Sequence, residues 1–162
     1  MAAKKTIAIV GATEKIGKII AERFSSIPCR LLLVSNDLNQ LQSLSQYISE
    51  KQPVAEIDTI ECVKEGCWEA DMIVLAVPLC EENEAAQKMK EVSTQKIVVS
   101  FCDGDDTNKN LNKILPYSKL VKVSGNLESK EIFISGKDET VNEEIRSIFN
   151  HAGFNAEIAA AF

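Results

Sequence analysis

The segment Thr6-Ile-Ala-Ile-Val-Gly-Ala-Thr-Glu-Lys-Ile-Gly17 limits the folds open to this chain more than any other. A β-branched run ends at Gly11. Beyond it Ile16, Ile19, Ile20 and Phe24 fall at helical intervals and define one apolar face. A strand, a tight turn and an amphipathic helix thus follow one another within a few residues. That layout aims free backbone N–H groups at the crevice above a sheet, where hydrogen bonds and the helix dipole favour an anion. Gly11 allows the sharp turn, and Gly17 lets the helix pack close to the strand.

The same alternation continues to the end of the chain. Short apolar runs over residues 6–10, 30–34, 55–59, 72–76, 96–100, 120–124, 131–135 and 154–158 predict strands. Between them Leu38, Leu41, Leu44 and Ile48 carry a helical period closed by Pro53, and residues 63–69, 81–90 and 109–115 predict further helices. Val141, Ile145, Ile148 and Phe149 mark a last helix, with Asp138 as its N-cap and Gly153 as its terminator. Strands apolar on both faces and separated by helices need a parallel sheet covered on both sides. With right-handed crossovers this becomes an α/β, doubly wound, mostly parallel sheet of about eight strands. Residues 1–162 suffice for one such domain.

The 24 acidic side chains outnumber the 18 Lys and Arg, for a net charge of −6. No basic stripe exists to displace counterions, which excludes an extended nucleic-acid footprint. The apolar runs are too short to cross a bilayer, and the first of them ends at Gly11 without a cleavage region, so a strand is expected there and not a signal peptide. A cytoplasmic setting follows. The five cysteines, Cys29, Cys62, Cys67, Cys80 and Cys102, form no C-x-x-C pair, and the only histidine, His151, is distant in sequence. No zinc site is expected, and free, buried or half-buried thiols fit the pattern.

The spacing of Gly11 and Gly17 agrees with the dinucleotide fingerprint. Ala12 stands in place of the second glycine, and Glu14 puts a carboxylate where a dianionic ligand would lie, with Lys15 beside it as a partial offset. Two readings stay open: a dinucleotide site held by Gly11, Ala12, Thr13, Lys15 and Ile16, or a structural turn that has lost its ligand. After the second strand, Ser35 and Asn36 occupy the place where an acidic residue binds an unphosphorylated ribose. Their presence favours NADP, with Ser35, Asn36 and Lys15 near the 2′-phosphate, and leaves NAD open. Asp37 also suits the N-cap of the next helix.

Three segments together resemble the NADP oxidoreductase family that works with a deazaflavin, coenzyme F420. They are Ile9-Val-Gly-Ala-Thr-Glu-Lys-Ile-Gly17, Ala70-Asp-Met-Ile-Val-Leu-Ala-Val-Pro78, and Ile132-Phe-Ile-Ser-Gly-Lys-Asp138 with Ala152-Gly-Phe154. The chain is also similar to the nucleotide-binding domains of pyrroline-5-carboxylate reductases and metalloreductases. The resemblance implies a Rossmann domain that binds NADP and positions its nicotinamide for direct hydride transfer to a second carrier. It places Ala76, Val77 and Pro78 over the ribose and diphosphate; an ordinary strand end explains Pro78 as well. No catalytic acid or base is implied.

The chain departs from the family after the fifth strand, where Ser100-Phe-Cys-Asp-Gly-Asp-Asp106 replaces a Thr-Asn-Pro type turn. Phe101 and Cys102 would face the redox end, and Asp103, Asp105 and Asp106 would form an acidic rim, a solvated loop before a cation site. The sequence ends soon after the last strand, so the acceptor side is expected to be completed by another subunit, as in a homodimer, by another protein, or by nothing. Three functions follow: an oxidoreductase with an unknown hydride acceptor, a non-catalytic dinucleotide sensor, or a scaffold that kept only the fold.

Overall fold

The computed structural model describes residues 4–101 and 110–159. Its strands are β1 (Thr6–Val10), β2 (Arg30–Val34), β3 (Glu56–Ile60), β4 (Met72–Leu75), β5 (Ile97–Phe101), β6 (Lys119–Asn126), β7 (Glu131–Gly136) and β8 (Asn155–Ile158). Its helices are α1 (Lys15–Phe24), α2 (Leu38–Glu50), α3 (Val63–Glu69), α4 (Glu82–Met89), α5 (Leu111–Ile114) and α6 (Glu139–His151). The described strands form one sheet in the order β3-β2-β1-β4-β5-β6-β7-β8. Every neighbouring pair is parallel except β6 and β7. The doubly wound α/β sheet expected from the sequence is the fold.

Alternate residues of one strand feed two different cores, and this is why the strand sequences are apolar without interruption. Ile7 and Ile9 of β1 pack with Leu31, Leu33, Met72 and Val74 under α1, α2 and α6, through Phe24, Leu41, Ile48 and Phe149. Ala8 and Val10 face the other way, with Leu32, Val34, Ile73 and Leu75, under α3, α4 and α5. Phe149 is an aromatic hub, edge-on to Phe24 at 5.1 Å and to Phe154 at 5.4 Å between ring centroids. Such pairs add roughly 0.5–1.5 kcal/mol each beyond the area they bury.

The turn between β6 and β7 is too short for a crossover helix, so the second strand must run back antiparallel. Asn126 Oδ1 closes the turn by accepting from the N–H groups of Glu128 at 2.8 Å and Ser129 at 3.2 Å. Helix ends follow the sequence signals. Asp37 caps α2 by accepting from Gln40 N at 3.1 Å, and Asp138 caps α6 by accepting from Thr140 N at 3.0 Å and Val141 N at 3.2 Å. Gly153 follows the end of α6 with φ +97°, whereas α2 ends at Glu50, with Lys51 as its cap and the left-handed Gln52, φ +54°, ahead of Pro53.

Candidate functional site

The sheet reverses its order of construction between β1 and β4, and the carboxyl ends of the strands around that point enclose a cleft of about 660 Å³. Gly11 and Thr13 after β1, Ser35 to Asp37 after β2, Glu61 and Cys62 after β3, and Val77 after β4 all line it. The β1–α1 turn is built by exclusion of side chains. A Cβ on Gly17 would stand 2.1 Å from Gly11 O and 2.8 Å from the Ala12 Cα, so only glycine lets α1 reach the strand. Gly11 adopts φ +85°, and a Cβ there would meet Val77 Cγ1 at 2.8 Å.

Within this turn, the N–H groups of Gly11 and Ala12 both donate to Val34 O, at 3.0 and 3.1 Å, and tie the turn to β2. They are not free for a ligand. The next donors belong to the first turn of α1, where Lys15, Ile16 and Gly17 have no intrahelical acceptor. Glu14 makes no side-chain cap there, unlike Asp37 at α2 and Asp138 at α6. The amino end of α1 is therefore an open set of donors beside the cleft. Glu14 itself is exposed on the cleft rim and does not plug the turn.

The residues singled out from the sequence separate into three groups. Gly11, Thr13, Asn36, Ser35 and Val77 come together in the cleft. Ala12 and Ala76 do not line it: both are buried in the core, and Ala76 N extends the ladder by donating to Val10 O at 2.8 Å. The Ile16 side chain packs on the same core, leaving only its backbone to face a ligand. Lys15 turns away to an exposed ion pair with Glu128, 3.8 Å distant in the β6–β7 turn, and Pro78 is exposed outside the cleft. Ser35, expected at a 2′-phosphate, has its hydroxyl engaged: it lies 2.9 Å from Thr13 Oγ1 and accepts from Asp37 N at 3.1 Å. That pair of bonds locks the glycine turn to the end of β2.

Several lining residues escaped the sequence. Glu61 and Cys62 follow β3 directly, and Glu81, Glu84 and Lys88 share one face of the α4 region. Their signals were the end of the third strand and the helical spacing of three and four. With Glu14 and Asp37, they give the cleft five carboxylates against one lysine. The thiols also divide. Burial pushes Cys29 up to about 11 and Cys67 up to about 12, which favours the protonated thiol, while Cys62 and Cys80 are exposed. Cys102, Asp103, Asp105 and Asp106 lie outside the described residues; among those described, no cluster of metal-ligating side chains occurs. No described helix is long and apolar enough to cross a membrane.

A parallel sheet with a glycine turn at its switch point and an uncapped helix beside it defines a Rossmann-type nucleotide-binding domain. The profile of the NADP oxidoreductase, coenzyme F420-dependent family matches residues 6–104, and the chain belongs to that family of NAD(P)-dependent oxidoreductases. No curated protein matches it. Among solved structures it is similar to a protein of Arthrobacter sp. FB24 described as an F420-dependent NADP reductase, at 16% identity and TM-score 0.75, over 96% of this chain and 84% of that one. It is similar to a pyrroline carboxylate reductase of Plasmodium falciparum with NADP bound, at 17% identity and TM-score 0.70, over 96% of this chain and 58% of that one. A prephenate dehydrogenase of A. aeolicus in complex with NAD+ gives 16% identity and TM-score 0.74, over 98% of this chain and 61% of that one. At these identities the likeness is one of fold, and this chain spans about three fifths of the latter two proteins.

Proposed function

We propose that this chain binds a nicotinamide dinucleotide across the carboxyl edge of its sheet and presents it to a hydride acceptor of unknown identity. The observation that carries the reading is the uncapped amino end of α1, brought against β1 by Gly17 and opening on the switch-point cleft. Those donors suit a diphosphate. A bound nicotinamide dinucleotide supplies the hydride chemistry; the chain supplies position. In this proposal Thr13 and the N–H groups of Lys15 and Ile16 hold the diphosphate, Val77 limits its approach over Gly11, and Asn36 and Asp37 face the ribose. Ala12, Ser35 and Ala76 act from beneath, by holding the turn.

NADP is the cofactor that the family's name supports. The charges of this cleft support NAD instead. Lys15 is turned to Glu128, the Ser35 hydroxyl is engaged, and Asp37 and Glu61 line the cleft where a 2′-phosphate would need a cation. The same carboxylates favour a second reading, a scaffold that no longer binds a dinucleotide. A cytoplasmic setting belongs to the proposal and is supported by the free thiols among the described residues. So does a second copy or a partner protein completing the acceptor side.

Thermal unfolding with NADH and with NADPH tests the reading. Ligand at a hundredfold excess over its dissociation constant is expected to stabilise the fold by about 2.7 kcal/mol. NADH is expected to reach this at the lower concentration and to protect Cys62 from alkylation. No shift with either would leave the scaffold, and tighter binding of NADPH would overturn the choice of NAD. Stopped-flow oxidation of the bound reduced dinucleotide by a flavin or deazaflavin then separates enzyme from sensor.

A further inference from the structure

A second cavity, of about 620 Å³, opens on the opposite edge of the sheet. It lies where α5 stops short over β6, between the chain that follows α5, the first turn of α6 and the adjoining ends of β6 and β7. Its charged lining is Lys119, Lys122, Lys137 and Asp138. The Asp138 carboxylate is already engaged as the cap of α6, through Oδ1. None of the three lysines forms an ion pair with a described residue, although eight other lysines and arginines do.

The strand register separates Lys119, which keeps step with Val121 and Val123 toward α6, from Lys122. Val121 and Val123 enter the core below α6, so Lys122 between them projects to the other face, where it is half-buried. Ser135 pairs with Lys122 across the β6–β7 ladder, and its neighbours Ile132 and Ile134 set the alternation that puts it on the same face. Ser135 and Asn112 add an uncharged hydroxyl and an amide, neither of which bonds to a described side chain or backbone group. Ser118 differs, since its hydroxyl already donates to Ser93 O at 2.9 Å. The cavity therefore offers Lys122 and Lys137, a hydroxyl and an amide, with Lys119 lining it from the α6 side, in a chain whose net charge is −6. An excess of charged donors over acceptors is complementary to phosphate, for which ammonium groups make charge-assisted hydrogen bonds.

We infer that this amino-edge cavity is a second ligand site, for a phosphorylated small molecule, separate from the dinucleotide cleft. Its volume falls in the range of small-ligand pockets, roughly 300–1,000 Å³. It depends on side-chain charge alone, and it stands whether or not the other cleft binds a dinucleotide.

The test is a titration of the full chain with inorganic tripolyphosphate at constant ionic strength, followed by ¹⁵N–¹H correlation spectra. Saturable shifts are expected at Leu120, Lys122, Ser135, Gly136 and Lys137, with residues 11–17 unmoved. The Lys122→Gln/Lys137→Gln double variant, with an otherwise overlaid spectrum, should lose affinity about ten-fold or more. Should that variant fail to fold, Lys122→Gln alone should lose several-fold. Shifts that do not saturate, that persist in the variants, or that spread equally to Lys18 and Lys130 would overturn the site. Equal binding of citrate would overturn its assignment to phosphate.

Discussion

The two cavities of this domain are nearly equal in volume, about 660 and 620 Å³, and opposite in everything else. One lies at the carboxyl ends of the parallel strands, where a doubly wound sheet opens a crevice whatever its side chains. The other exists because the sheet leaves that plan: β7 turns back, and α5 is too short to cover it. At the first, anion-binding donors are backbone N–H groups, and the side chains around them are five carboxylates against one lysine. At the second, the donors are three lysines, and the backbone contributes no open helix end, because Asp138 caps α6. Backbone geometry that suits an anion and side-chain charge that would suit it lie in different cavities of this chain. Backbone geometry is held by packing, whereas exposed charges are free to change without cost to the core.

The largest expected effect tests whether both floors are equally rigid. Gly17→Ala sets a Cβ against two backbone atoms, at 2.1 and 2.8 Å, so α1 must lift from β1. Urea unfolding should show a loss of about 3 kcal/mol, the upper range of overpacking, with the dinucleotide response lost as well. Gly136→Ala at the other cavity meets Leu120 O at 3.0 Å and, at 2.6 Å, the Asn142 Oδ1, a side-chain atom that can shift only by straining the bond its Nδ2 donates to Gly136 O at 2.9 Å. A smaller loss, about 1–2 kcal/mol, is expected there. Equal losses would erase the distinction.

Salt should weaken the lysine cavity and spare the dinucleotide cleft. Between about 0.02 and 0.2 M salt, screening should weaken tripolyphosphate at the lysine cavity by roughly ten-fold and leave dinucleotide affinity unchanged or up to about two-fold tighter. Parallel weakening of both would show that the carboxylates do not act on the dinucleotide. The smallest effect belongs to one of those carboxylates. Glu14→Gln should tighten NADH by about two- to five-fold, the size of one screened charge a few ångströms from a phosphate. Tripolyphosphate affinity should stay the same, and an unchanged NADH affinity would mean that Glu14 keeps its charge in solvent.

What was legible in the sequence was local. Gly11 and Gly17 announce a turn because glycine is needed within that turn, and Asp37 and Asp138 announce caps because each serves an N–H two or three residues on. Lys15 and Ser35 were legible as residues at the right places and not as free groups. Ser35 is engaged by Thr13, 22 residues away, and Lys15 by Glu128 in the turn after the sixth strand. Glu61, Glu81 and Glu84 reached the cleft from segments that the glycine motif does not touch.

The amino-acid sequence by itself determined the strands, the helices, the glycine turn and the side of the sheet on which a nucleotide would sit. Backbone preference and apolar period act over a few residues, and handedness then leaves few ways to assemble them. Tertiary structure alone decided the charge of each cavity and which donors in it are free. Both are sums over side chains brought together from distant parts of the chain, and no local pattern encodes such a sum.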